Sequence, residues 1–248
     1  MSSRAEIVAG VRRLTELRRA LPIVAATLLL VALLLPMWRI ILTAPQYPQE
    51  LVVELYAYPR LRGDVEEVQL LNAYVGFYYP DPVYLEPNFE VHENAVAVPE
   101  WSFGPLAFVA VAAAGVFVAI APTERKLRLG LTAQLIGTIA VFAGMFALIQ
   151  YRLYQAGHSL DPDAPLRSVD SFTPPVFGPY EIANISGFAS LGPGGYLAIL
   201  AVVLMIIAFF CRSSPATVGD IPNLLGNGVK NLRGRFDRSR SIQRSDSS

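Results

Sequence analysis

The sequence predicts an all-α membrane protein: four transmembrane helices carrying a small α+β extracytoplasmic cap. Three observations lead there. Hydrophobic residues make up 53% of the 248 positions and charged ones only 16%, with a mean hydropathy of +0.42, whereas a soluble domain is about a quarter charged. The apolar residues gather into four runs close to the roughly 20 residues a helix needs to cross a bilayer. The basic residues fall on alternating sides of those runs, as positive-inside sorting requires.

The elements follow in chain order. Residues 1–20 form a cytoplasmic segment with Ile7, Val11, Leu14 and Leu17 at helical spacing among arginines. That pattern suits a basic amphipathic helix on the inner leaflet, or an ordinary solvated helix. The first span is 21–41, "LPIVAATLLLVALLLPMWRII". Arg18-Arg19 before it is similar to a twin-arginine signal, but the run exceeds the ~7–15 residues of a signal core. Pro45 also spoils the small-residue site at "LTA", so the run reads as a retained anchor. Segment 42–102 is extracytoplasmic. In it "ELVVELYAY" (50–58) is rich in β-branched and aromatic residues and predicts a strand. Asp64 with Glu67 gives an N-cap signature for a helix over 65–75, with Val65, Val68, Leu71 and Val75 on one face and Gly76 as its C-terminal cap.

The second span is 103–121, with Trp101 at its outer mouth. A cytoplasmic loop, 122–128, leads to the third span, 129–151. The segment 152–193 is extracytoplasmic and rich in proline and glycine. The fourth span, 194–211, is short, and 212–248 is a basic cytoplasmic tail, too polar at its end to fold. The single cysteine, Cys211, excludes an intrachain disulfide; at a helix end it is either an acylatable or a buried thiol. Neither outer piece can build a secure core alone, so they should pack on each other and on the bundle top. Fifteen of the 20 Lys and Arg residues fall on the side of both termini, which makes those termini cytoplasmic, and 14 of the 20 acidic residues fall on the other.

Composition also limits function. Eighteen arginines and two lysines form no basic face with interleaved aromatics, so no nucleic-acid partner is expected; the lipid bilayer is. No Asp, Glu, Lys or His lies inside a span, and proton relays and ion pathways are built on such residues. Gln134 is the most polar side chain at depth. The third span carries a stripe of small residues, Gly130, Ala133, Gly137, Ala140, Gly144 and Ala147. Such a stripe lets a neighbouring helix approach closely, and Ala110 and Ala114 of the second span could face it. No catalytic nucleophile motif or phosphate loop occurs, so the chain is expected not to be an enzyme.

The candidate metal ligands are His158 and Asp161, with Asp163 beside them and His92 as the only other histidine. Imidazole with carboxylates suits several divalent metals, copper among them. The alternative is structural. Asp161-Pro162 and Asp163-Ala164-Pro165 are turn chemistry, and His158, just past the third span, can bond a backbone carbonyl. Asn184-Ile185-Ser186 fits a glycosylation acceptor.

Several stretches carry a resemblance: "APQYP" (44–48), "GDVEEVQLLNAYVGF" (63–77), "GHSLDPDAPL" (157–166), "FTPPVFG" (172–178) and "IAN" (182–184). In these the chain resembles a little-characterised family of small multi-pass membrane proteins that accompany nitrous-oxide reductase and its copper-maturation proteins. The resemblance implies an accessory or assembly role for an extracytoplasmic copper enzyme, with a membrane or extracytoplasmic protein as partner. It also implies a departure, because the family's histidine and methionine fall here on Ala73 and Phe77. The alternatives are a membrane enzyme or metal carrier with its site at the outer cap, at His92 and His158, and a structural subunit of a membrane complex docking through the third span.

Overall fold

The computed structural model describes residues 14–83, 92–166 and 169–220. The expectations for residues 1–13 and for the tail beyond 220 lie outside them. The described elements are α1 (Leu17–Ala32), β1 (Trp38–Ala44), β2 (Tyr47–Leu55), β3 (Leu61–Gly63), α2 (Val65–Val75), α3 (Gly104–Ala119), α4 (Glu124–His158), β4 (Gly178–Ile182), β5 (Ile185–Leu191) and α5 (Pro193–Phe210). A 3-10 turn, Pro99–Phe103, leads into α3.

The all-α expectation is wrong. Among the described residues strand accounts for 18% against 55% helix, so the fold is mixed α+β. The strands form one antiparallel sheet in the order β3-β2-β1-β5-β4. Among the described residues three helical stretches, not four, are long and apolar enough to cross a membrane: Pro99–Ala119, Glu124–His158 and Pro193–Ser213.

The error begins in the first apolar run. Its helix stops at Ala32, because Pro36 has no N–H and restricts the residue before it. The next residues, Trp38 to Thr43, are aromatic and β-branched and form the central strand, paired by β2 on one side and β5 on the other. Trp38, Ile40, Ile41 and Leu42 of this strand prolong the apolar run, although only Leu42 and Ala44 are buried in it. The helix that remains has 16 residues, about 24 Å long, short of a bilayer core.

The sequence assigns no element to 178–191, within the proline- and glycine-rich segment. That stretch is a hairpin, β4–β5, closed by Ala183-Asn184, with Ala183 at φ +53°. Positive φ in a two-residue turn matches strand twist and is usually supplied by Asn-Gly. By contrast α2 spans the expected Val65–Val75, and Gly76 ends it at φ +83°. Asp64 does not cap α2 through its side chain; its Oδ2 accepts from Val52 N at 2.8 Å and ties the helix start to β2.

One sheet face carries Leu42, Leu51, Val53 and Ile185, which bury against Val65, Val68, Leu71 and Val75 of α2. The two outer pieces thus share one core. On the same face, nearer the bundle, stand Trp38, Leu55 and Ala189.

Beneath the sheet the helices run alternately toward and away from it. α1, α3 and α5 meet through small residues, among them Ala25, Ala26, Ala32, Ala112 and Ala201. A Cβ on Gly115 would stand 3.2 Å from Pro22 O, and one on Gly194 only 2.8 Å from Ala32 O. The small-residue seam is here, not on α4. The buried face of α4 is Leu127, Leu131, Gln134 and Thr138. Gln134 Nε2 donates to Val111 O at 2.9 Å, and Thr138 Oγ1 lies 3.3 Å from Met205 Sδ. Gly130 alone of the expected stripe meets the bundle, at Val118; Ala133, Gly137, Ala140, Gly144 and Ala147 are exposed, and a Cβ on Gly137 or Gly144 would have nothing within 4 Å. Ala110 and Ala114 are exposed as well.

At the end away from the sheet, Arg18 and Arg19 are buried at 4% and 7% exposure. Arg18 pairs with Glu16 at 2.8 Å and Glu124 at 3.0 Å. Arg19 Nη1 donates to Ala119 O at 2.7 Å and Ala121 O at 2.9 Å, satisfying carbonyls left over at the end of α3. The arginine pair is a structural lock rather than part of a surface-lying segment.

Candidate functional site

α4 has 35 residues, about 52 Å, so it overruns a ~30 Å hydrocarbon core and carries its last turns up to the sheet. Between those turns and the sheet lies a cavity of about 260 Å³. Trp38, Leu55 and Ala189 roof it, Met145, Ile149 and Ala156 of α4 wall it, Phe108 of α3 floors it, and Pro174 to Val176 close one side. The lining is almost wholly apolar.

Its polar atoms are mostly spent on the protein. Trp38 Nε1 donates to Val176 O at 2.6 Å and Trp101 Nε1 to Tyr56 O at 3.0 Å, so both indoles offer only apolar faces. Tyr180 lies across Gly187, its strand partner, where a Cβ would meet the ring at 2.2 Å. Burial pushes its phenol up to about 12, so it stays a neutral donor. The exception is the ion pair of Arg152 with Glu100. Arg152 Nη1 also donates to Gln155 Oε1 at 2.8 Å, yet Arg152 Nε and Glu100 Oε2 are buried without a hydrogen-bond partner.

The histidines sit at the edge of this region. His158 ends α4, with Nδ1 2.9 Å from Tyr154 O and its ring stacked on Tyr154 at 4.0 Å. Because a carbonyl can only accept, Nδ1 carries the proton. His92 stacks on Tyr78 at 3.7 Å and accepts from Asn94 N at 3.2 Å. Tyr78, a cavity residue, donates to Asp161 Oδ2 at 2.9 Å. Asp161 Oδ1 accepts from Asp163 N, also at 2.9 Å. That backbone bond first, then the Tyr78 hydroxyl, holds the Asp161 carboxyl below its ordinary range. Tyr78 therefore joins His92 and Asp161, while His158 is spent on its own helix. Among the described residues, no three His, Cys, Asp or Glu side chains gather so as to hold a metal.

Sequence reasoning missed the cavity and its ion pair. Glu100 and Arg152 are 52 positions apart and belong to no motif. The usable signal was Arg152 itself, a charge one residue past the apolar run of the third span. The stretches carrying the family resemblance do meet beside the cavity: Asp161 N donates to Gly76 O, Leu166 N to Tyr74 O, and Phe172 N to Gly157 O. No protein-family model matches the chain, and no curated protein is similar to it.

Proposed function

We propose that the chain is an integral membrane accessory protein whose working part is the cavity under the sheet, held for an apolar guest in support of an extracytoplasmic enzyme. The observation that carries the reading is that cavity: about 260 Å³, almost wholly apolar, framed by two indoles whose N–H groups are already engaged. Binding sites are concave and mostly apolar, with a few placed polar groups, and Glu100 and Arg152 fit that description. The positive-inside bias supports a cell-membrane location with the arginine-locked end cytoplasmic and the sheet outside. The resemblance supports a copper enzyme as the partner served. In this reading the chain supports the enzyme without carrying its metal.

The test is genetic and biochemical. Deleting the chain from its host should lower the activity and metal loading of an exported copper enzyme, and Ala156→Phe, which fills the cavity, should fail to restore them. Undiminished loading without the chain, or full rescue by Ala156→Phe, contradicts the proposal. A second reading, docking as a subunit of a membrane complex, is favoured by the exposed small residues of α4. It expects Gly137→Leu, and not Ala156→Phe, to fail in the same complementation.

A further inference from the structure

The level at which the bundle meets the sheet can be measured from the opposite end. There each helix apolar enough to cross a membrane meets cations. Arg19 holds the carbonyls of Ala119 and Ala121 at the end of α3, Arg125, Lys126 and Arg128 are exposed on α4, and Arg212 follows α5. A hydrocarbon core is ~30 Å thick, about 20 helical residues. Counted from Ala121, Arg128 and Arg212, that thickness ends at Trp101, Leu148 and Gly192. All three lie where bundle and sheet join: Trp101 and Leu148 line the cavity, and Gly192 N donates to Met37 O beside β1. We infer that the sheet stands in the membrane surface rather than above it. Hydrocarbon ends at the cavity, and the lowest rung of the sheet, Trp38 paired with Leu191, is seated among lipid head groups.

The exposed side chains agree with that level. Phe103, Tyr151 and Tyr196 are 63%, 54% and 62% exposed, and aromatic rings gather where hydrocarbon meets head groups. Helical side chains lean toward the N-terminus of their own helix. Tyr196, inside the counted level on α5, therefore leans outward to it, and Tyr151, just past it on α4, leans back to it. The upper limit is marked as well. One residue above Trp38, Arg39 pairs with Glu54 at 2.8 Å on the exposed side of the sheet, and charge is costly in hydrocarbon. The sheet is also open, with β3 and β4 at its edges, and open edges do not occur in hydrocarbon. The apolar helices set how far the bundle sinks; the ion pair and the edges stop the sheet from following.

This placement rests on the membrane reading and not on the cavity's having a guest, so it is decided apart from the complementation test. The two native tryptophans, Trp38 and Trp101, report the depth. The full chain is reconstituted in nanodiscs with phosphatidylcholine brominated either near the carbonyl end of its acyl chains or near their terminal methyls. The shallow label should quench the indoles more than the deep one. Equal or stronger quenching by the deep label places the tryptophans in hydrocarbon and overturns the level. A second measurement leaves both indoles in place. In a Cys211→Ser background, which removes the only cysteine, exposed positions are replaced one at a time and treated with a water-soluble maleimide. Phe188→Cys, three residues above Leu191 on β5, should react readily, Tyr196→Cys slowly, and Val203→Cys, near mid-span on α5, not at all. Tyr196→Cys reacting as readily as Phe188→Cys would lift the sheet clear of the bilayer, assign the exposed aromatics to a protein partner and overturn the inference. Phe188→Cys as unreactive as Val203→Cys would sink the sheet into the bilayer and overturn it equally.

Discussion

The two ends of the helix bundle use the same chemistry, arginine against glutamate, to different ends. Away from the sheet, Arg18 and Arg19 are buried, and between them they engage Glu16, Glu124 and the final carbonyls of α3. The chain segment around Thr15 and Ala216 is stitched across the same end by backbone bonds. Near the sheet, Arg152 and Glu100 form one pair beside an apolar cavity, and each end leaves a guanidinium Nε without a hydrogen bond, Arg19 Nε at the first and Arg152 Nε at the second. The ends differ in that the first is packed shut and the second keeps a cavity, and the proposed function assigns stability to the first and binding to the second.

The comparison breaks most visibly if the locked end is not a lock. Arg19→Ala removes a buried guanidinium and orphans Ala119 O and Ala121 O. It should cost about 3 kcal/mol, read as a lowered unfolding midpoint in detergent. An unchanged midpoint removes the distinction. The helix seam beneath comes next. Gly115→Leu forces a side chain toward Pro22 O and should cost about 2 kcal/mol by overpacking.

The reasons for what was legible in the sequence lie in particular residues. Helix α2 was readable because its start, its apolar face and its Gly76 stop are local. The pairing of His158 with a backbone carbonyl was readable as one alternative for the same reason. The sheet was hidden because its central strand, Trp38–Ala44, continues an apolar run; Pro36 was the signal that the run divides. The β4–β5 hairpin was hidden because Ala183 occupies a position where glycine or asparagine is expected. The small stripe on α4 was legible as a stripe, but its direction depends on where neighbouring helices stand, which spacing alone does not fix. The Glu100–Arg152 pair depends wholly on tertiary placement.

At the open end, Arg152→Met should cost about 1 kcal/mol or less, as partly exposed pairs do. A loss as large as that of Arg19→Ala would make Arg152 a second lock. A smaller effect concerns the loop beside the cavity. The Asp161 carboxyl is held below its ordinary value near 3.9. It therefore contributes stability above that value and loses it as pH falls through the lowered one. The protection factor of the Asp163 amide, its exchange rate divided into the intrinsic rate at the same pH, should fall on such acidification, and in Asp161→Ala it should be low at every pH. Smallest of all, Gly137→Leu should leave the unfolding midpoint of the isolated chain unchanged, since nothing lies within 4 Å of that site.

The open end itself can be seen directly. A high-resolution map of the protein extracted with its native membrane lipids should contain non-protein density in the space bounded by Trp38, Trp101, Tyr180 and Arg152. A map in which side chains of this chain fill that space, or in which the sheet closes down on α4 and leaves no room, contradicts the account.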